Sequence, residues 1–288
     1  MSYPDEIYSK MRSWAEQGLF LLRELLPTMA PVAQYDGWSK DERETLAFLL
    51  SANARSSESA LLLIAFAQLW DAEMLVRSVI EGTFKFCYLL QDRDSFKQRH
   101  REYSDDLFQI ALFKDHKKVS ELLSIVPNPN DLEWKPLRDR LLSNDEEARI
   151  GNTYNGTVRR ALESRWGFTG LLGEFSRSGD ELFRGFGGYA HNFSFASHIL
   201  HADYVGASLA LDRDRRPPEK RDAVLLAHSV RLISDVLTCL HFRLVVGYRF
   251  VGSDTQPVAG AAAKVERLLG SFGDVYEDWM TAEYGERG

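Results

Sequence analysis

Apolar residues recur at helical spacing along almost the whole chain, and no segment alternates apolar and polar residues as a strand does. No hairpin dipeptide separates two strand-like runs. Helices patterned this way must bury their apolar stripes against other helices. The expected fold is all-α: a multi-helix bundle of long helices with a less regular helical middle region.

Breaks in the pattern give the expected elements. A first helix spans residues 4–26, with Ser2 or Tyr3 near its cap and Pro27 beyond its end. After a connector, Ser39 with Glu42 three residues later forms a capping box. Helix then runs to about residue 70, in one piece or two, and again over 71–90 and 94–126. Pro127, Asn128, Pro129 and Asn130 stop it. Residues 131–180 are polar, with short helix-like pieces. Helix resumes near Gly179 and, after a GFGG break, runs to about Leu211. Pro218 suits the first turn of a long helix reaching about Arg249. A short helix over 258–269 and a polar tail finish the chain. The expected organisation is one helical domain, 1–288, with its core in 40–126 and 182–250. Residues 127–181 form a covering or inserted region.

The 288 residues carry a net charge of −7. That argues against a broad grip on a nucleic-acid backbone, which needs clustered Lys and Arg, though not against a small basic site. Cys87 and Cys239 sit in apolar helical contexts outside any CxxC pair and read as buried free thiols of a reducing cytosol. The polar N-terminus has no signal core. The longest strongly apolar stretch, 60–70, is broken by Gln68 and is too short for a membrane span. The expectation is a cytoplasmic protein with no membrane partner.

The chemistry concentrates in RGFGGYAHNFSFASHILHAD, which holds three of the seven histidines. His191, Ser194, His198 and His201 fall on one helical stripe. A metal site would need further carboxylates or thiolates, and Asp203 is expected on another face. Neither HExxH nor Glu-x-x-His occurs, so no metal is expected. No P-loop, GxGxxG or GxSxG pattern occurs, and no cofactor is expected. Arg184 with His191 suits a phosphodiester: a guanidinium binds phosphate bidentately and an imidazole moves a proton near neutral pH. The intervening glycines allow either close backbone approach to a ligand or close packing at a kink.

A charge ladder, Glu73, Arg77, Glu81 and Lys85, occupies one face of the helix from Asp71. It reads as a solvated face, or as an interior Arg77–Glu81 pair that clamps the fold or serves a site. His228, Arg231 and Asp235 share a face further on and read as a solvated stripe.

Two resemblances arise at these residues. The R-S-x-x-E of Arg77, Ser78 and Glu81, with the later Ser194-x-x-x-His198 and Tyr189 before it, resembles a family of uncharacterised bacterial helical proteins. Its recognisable parts are residues 50–90 and 185–205, and it implies a fold more than an activity. Arg184-x6-His191 is similar to the R-x(4–6)-H pattern of the HEPN superfamily. Those proteins are small helical bundles that often dimerise, and active members are metal-independent endoribonucleases of toxin–antitoxin, abortive-infection and CRISPR systems.

Two readings follow. In the first, the protein is a HEPN-like ribonuclease or other phosphodiester-acting protein of a defence or toxin system. Arg184 holds phosphate, His191 or His198 is acid/base, Arg77 and Glu81 orient them, and Ser194 and Tyr189 complete the site. Its partners would be RNA or a nucleotide, an antitoxin or defence protein, and a second copy in a homo-oligomer. In the second, the same polar groups form a buried Arg–Glu–His network in a non-catalytic interaction or scaffold protein.

Overall fold

A computed structural model describes residues 5–285. All its regular elements are helical; no strand occurs among the described residues. The helices that matter are α1 Asp5–Leu25, α2 Lys40–Ala65, α3 Leu69–Leu89, α4 Arg93–Arg101, α5 Leu107–Ile125, α6 Asn144–Thr153, α7 Gly156–Trp166, α8 Phe168–Ser178, α9 Tyr189–His201, α10 Tyr204–Asp214, α11 Pro218–Val251, α12 Gln256–Gly270 and α13 Val275–Tyr284. The cap expected at Ser2 or Tyr3 and the start at Pro4 lie outside the described residues.

The chain forms two compact units, residues 1–92 with 175–288, and residues 93–174. The second unit takes in 93–126, which periodicity alone groups with the core.

In the first unit, α1, α2, α3 and α11 pack together. Their contact faces are fully buried aliphatic and aromatic residues, among them Leu22, Leu61, Ile64, Phe84, Leu232, Ile233 and Leu244. Helix α2 starts where the sequence says. The Glu42 backbone N–H donates to Ser39 Oγ at 3.3 Å, and the Ser39 N–H donates to Glu42 Oε2 at 2.8 Å. It then runs without a break to Ala65. A tight turn carrying Ala67 at φ 56° reverses the chain into α3. Pro218 opens α11 at its first turn, where a missing N–H costs nothing.

Helix α11 is long and apolar enough, by length and composition alone, to cross a bilayer. Half of its most apolar window is buried inside the protein. Cys87 and Cys239 are free and buried.

Three local expectations are corrected. Helix does not run unbroken to Leu211: Ala202, in the left-handed region at φ 47°, ends α9, and Asp203 caps α10 by accepting the Gly206 N–H at 3.0 Å. The turn is tight enough that a Cβ on Gly206 would sit 2.1 Å from the His198 carbonyl oxygen. The polar tail contains a further helix, α13. Helix does not resume as α-helix near Gly179: Glu181–Gly188, GFGG included, is a 3-10 run, and the α-helix α9 begins after it at Tyr189. The phenylalanines of that run anchor it: Phe186 stacks on Phe84 at 4.4 Å, and Phe183 lies 4.5 Å from Phe175. Gly185, Gly187 and Gly188 have nothing within 4 Å of where a Cβ would sit, so close packing does not require them.

In the second unit, α4 and α5 are joined by a π-helical turn, Glu102–Asp106. Glu102 is buried there and accepts from Gln98 at 3.0 Å, Arg165 at 2.6 Å and the Trp166 indole at 3.0 Å. Those three donors hold its carboxyl below the ordinary range although burial pushes it up.

Candidate functional site

The first unit carries a cleft of about 470 Å³ whose walls come from α9, α10, α11 and α13. Its polar lining is His191 and Asn192 from α9, Arg213 from α10, and His228 and Arg231 from α11. Aromatic and apolar walls are Phe195, Val224, Ala227, Tyr276 and Trp279. Helix α13 is tied in place by its Glu283, which accepts from Arg216 at 3.1 Å and, through its carbonyl, from Lys220 at 3.1 Å.

Behind the cleft lies a hydrogen-bonded network centred on Glu73 of α3. Glu73 and His228 are almost fully buried. Glu73 Oε2 accepts from His228 Nε2 at 2.7 Å and from Arg231. Arg231 also donates to Asp235 at 3.0 Å. Arg213 lies 2.6 Å from His228 Nδ1. An arginine can only donate, so Nδ1 accepts and the proton of the neutral ring sits on Nε2, facing Glu73. Arg213 also lies over the Trp70 ring, 4.3 Å from its centroid.

The charge states follow from these contacts. Burial pulls His228 down to about 4, against which its bond to Glu73 works only in part, so the ring is neutral at ordinary pH. Burial pushes Glu73 up, but the His228 and Arg231 donors outweigh it and hold the carboxyl low and ionised. Burial raises Asp235 to about 6 despite Arg231 beside it. His228 has both nitrogens engaged and acts as a spacer between a carboxylate and a guanidinium. Two arginines from two helices are thereby fixed on one cleft wall, which is the arrangement that grips a small anion.

The residues singled out from the sequence fall in several places. His191 lines the cleft, its ring 6.4 Å from Phe195. Arg184 does not join it: it lies in a different hollow, with Phe175, Gly179 and Asp180, largely exposed and paired with Glu181. Arg77 and Glu81 are not paired with each other. Arg77 donates to Ser197 at 3.1 Å and lies over Phe193 at 4.1 Å, while Glu81 pairs with Lys85 at 2.7 Å. Ser194 is exposed. His198 lies 2.6 Å from Asp203, which the turn after α9 brings back to it rather than leaving on another face. Tyr189 belongs to the aromatic core, edge-on to Phe84 at 5.9 Å, with burial pushing its hydroxyl up. Among the described residues, no three His, Cys, Asp or Glu side chains gather as a metal-binding set.

Glu73, Arg213, His228 and Arg231 are therefore the residues the sequence reading undervalued. The available signal was the 3 and 7 spacing of His228, Arg231 and Asp235 on one face of an otherwise apolar helix.

No curated protein matches the chain, and no solved structure does. A family model described as a family of unknown function (DUF5677) matches residues 44–217. That span includes both segments of the uncharacterised-family resemblance, 50–90 and 185–205, and it contains Glu73, His191 and Arg213. With more than half of its length matched, the chain belongs to this family of unknown function.

Proposed function

We propose that the protein is a helical ligand-binding module whose cleft takes a small anionic molecule. One observation carries this reading: Arg213 and Arg231, from different helices, are both bonded to the Glu73–His228 pair and both line the same cleft. Arginines locked by packing and hydrogen bonds lose little freedom on binding, so their attraction for an anion is not spent on ordering them. The cleft is also of the size that takes small molecules, roughly 300–1,000 Å³.

A second reading, a phosphodiester-acting enzyme, is favoured by the position of His191 on the same cleft as the two arginines. In that form Arg213 and Arg231, rather than Arg184, would hold the phosphate, and His191 would move the proton. It departs from the R-x6-H pattern of the HEPN resemblance.

Calorimetric titration with pyrophosphate tests the first reading. Binding by the wild type that is lost in Arg213→Met, with the fold intact by circular dichroism, is the expected result. Binding by the wild type of neither pyrophosphate nor a phosphate-bearing organic molecule would overturn it. Incubation with single-stranded RNA separates the second: cleavage that disappears in His191→Ala favours the enzyme, and an intact RNA substrate removes it.

A further inference from the structure

Resting on the reading of the cleft as an anion site, we infer that its ligand is a planar heteroaromatic ring carrying a phosphate, a molecule of the nucleoside monophosphate class. The arginines account for only one part of the cleft. Facing its interior are also three aromatic residues, Phe195 of α9 and Tyr276 and Trp279 of α13. Tyr276 is exposed, and its ring lies 5.6 Å from that of Trp279. An inorganic anion would satisfy the guanidiniums and leave this wall uncovered. A flat ring would cover it, because every aromatic base presents a π-face for stacking.

Two polar groups strengthen the inference. The indole N–H of Trp279 is buried and has no hydrogen-bond partner. A buried donor in this state is costly unless an acceptor arrives; the N–H is closed off from solvent, so a base edge reaches it only when the Trp279 ring turns toward the cleft. The Asn192 side chain also lines the cleft, and its amide both donates and accepts, as the edge of a base does. On the anionic side, Arg231 spends one N–H on Glu73 and one on Asp235. A guanidinium has five such donors, so capacity remains for phosphate oxygens. The ring wall comes from α9 and α13 and the phosphate wall from α10 and α11, so a molecule that uses the whole cleft carries both features.

The test is a titration of the full chain with adenosine monophosphate, guanosine monophosphate, adenosine and pyrophosphate, read by calorimetry and by tryptophan fluorescence. The expected result is that at least one monophosphate binds about tenfold or more tightly than pyrophosphate and than adenosine. Trp279→Phe keeps a ring and removes the N–H. It is expected to weaken the monophosphate about fivefold to tenfold and to leave pyrophosphate unchanged. Pyrophosphate binding as tightly as both monophosphates, with no effect of Trp279→Phe, overturns the ring and leaves the anion site standing. Adenosine matching its monophosphate overturns both, as does a chain that binds none of the four. Melting temperatures of the unliganded proteins show whether Trp279→Phe is folded. If it is not, Asn192→Ala replaces it, with the same expectation for monophosphate against pyrophosphate.

Discussion

The imidazole of His228 and the carboxylate of Glu73 lie 155 residues apart in the chain and meet at 2.7 Å in its interior. Arg231 reaches the same carboxylate oxygen. Removing the carboxylate leaves the neutral His228 N–H buried without an acceptor and a void where the side chain sat, at a cost of about 2–5 kcal/mol. Glu73→Ala is expected to lose stability of that order, measured by urea unfolding. Glu73→Gln keeps an acceptor for His228 and leaves Arg231 with Asp235, so its loss is smaller, about 1–3 kcal/mol. Equal losses would show that packing, not the network, sets the cost.

The pH dependence contains two opposed contributions. Folded His228 takes its proton near pH 4 instead of 6.5, so between those values the unfolded chain holds more protons. The stability from neutral His228 is complete above 6.5 and lost as pH falls toward 4. Asp235 runs the other way. Raised from 3.8 to about 6, it keeps its proton in the folded state where the unfolded chain has lost it. Its contribution is present below 3.8 and lost as pH rises through about 6. Each shift amounts to about 3 kcal/mol, so the two offset one another between about pH 4 and 6. Glu73, held low, adds a loss only below its ordinary 4.5. Asp235→Asn removes one arm. Its urea midpoint is expected to climb between pH 4.5 and 6.5 more steeply than that of the wild type. Parallel profiles would sink the assignment.

These particular residues show what the sequence carries and what it does not. Ser39 and Glu42 are legible because a capping box is local and both partners lie within one turn. The α2–α3 and α11 helices are legible because burial repeats at 3.6 residues. The bend at Ala202 is not, because a left-handed alanine has no composition that announces it. Helix α13 is missed because its ten residues, mostly polar and aromatic, look like a tail until they have a surface to pack on. The site fails for a related reason. Glu73 heads a charge ladder that reads as solvated, and only His228 and Arg231, long distances along the chain, make its burial tolerable. Spacing reveals which residues share a face but not which face meets which.

Arg243 gives a prediction of opposite sign to Glu73. Its guanidinium is fully buried on α11, yet its hydrogen bonds go to the neutral side chains of Asn53 and Thr83. Burial pulls its pKa down, and no carboxylate among the described residues offsets it. A buried charge without an opposite partner is a standing cost, so an apolar residue of similar length is tolerated. Arg243→Met is expected to unfold at a urea concentration at least as high as the wild type. Arg243→Ala leaves a cavity and is expected to fall below it by about 2–5 kcal/mol. A Met variant as unstable as the Ala variant would mean the guanidinium bonds outweigh its desolvation.

The same cluster fixes what residue 82 can be. A Cβ on Gly82 would sit 2.5 Å from Asn53 Nδ2, closer than real Cβ contacts allow. Asn53 cannot simply step aside. It is buried, its Nδ2 donates to the Leu49 carbonyl at 2.8 Å, and its Oδ1 accepts from Arg243 at 3.2 Å. Alanine gains about 1 kcal/mol over glycine in a free helix, but overpacking a filled interior costs about 1–3 kcal/mol and here also displaces a hydrogen-bond partner of a buried charge. Gly82→Ala is therefore expected to destabilise. Asn53→Ala removes the obstructing amide, and the methyl group introduced by Gly82→Ala then occupies part of the space it leaves. The double variant should be more stable than the sum of the two single losses by about 1 kcal/mol or more, read from a double-mutant cycle of urea midpoints. Simple additivity would show that the two positions do not press on each other and that the glycine is held there for another reason.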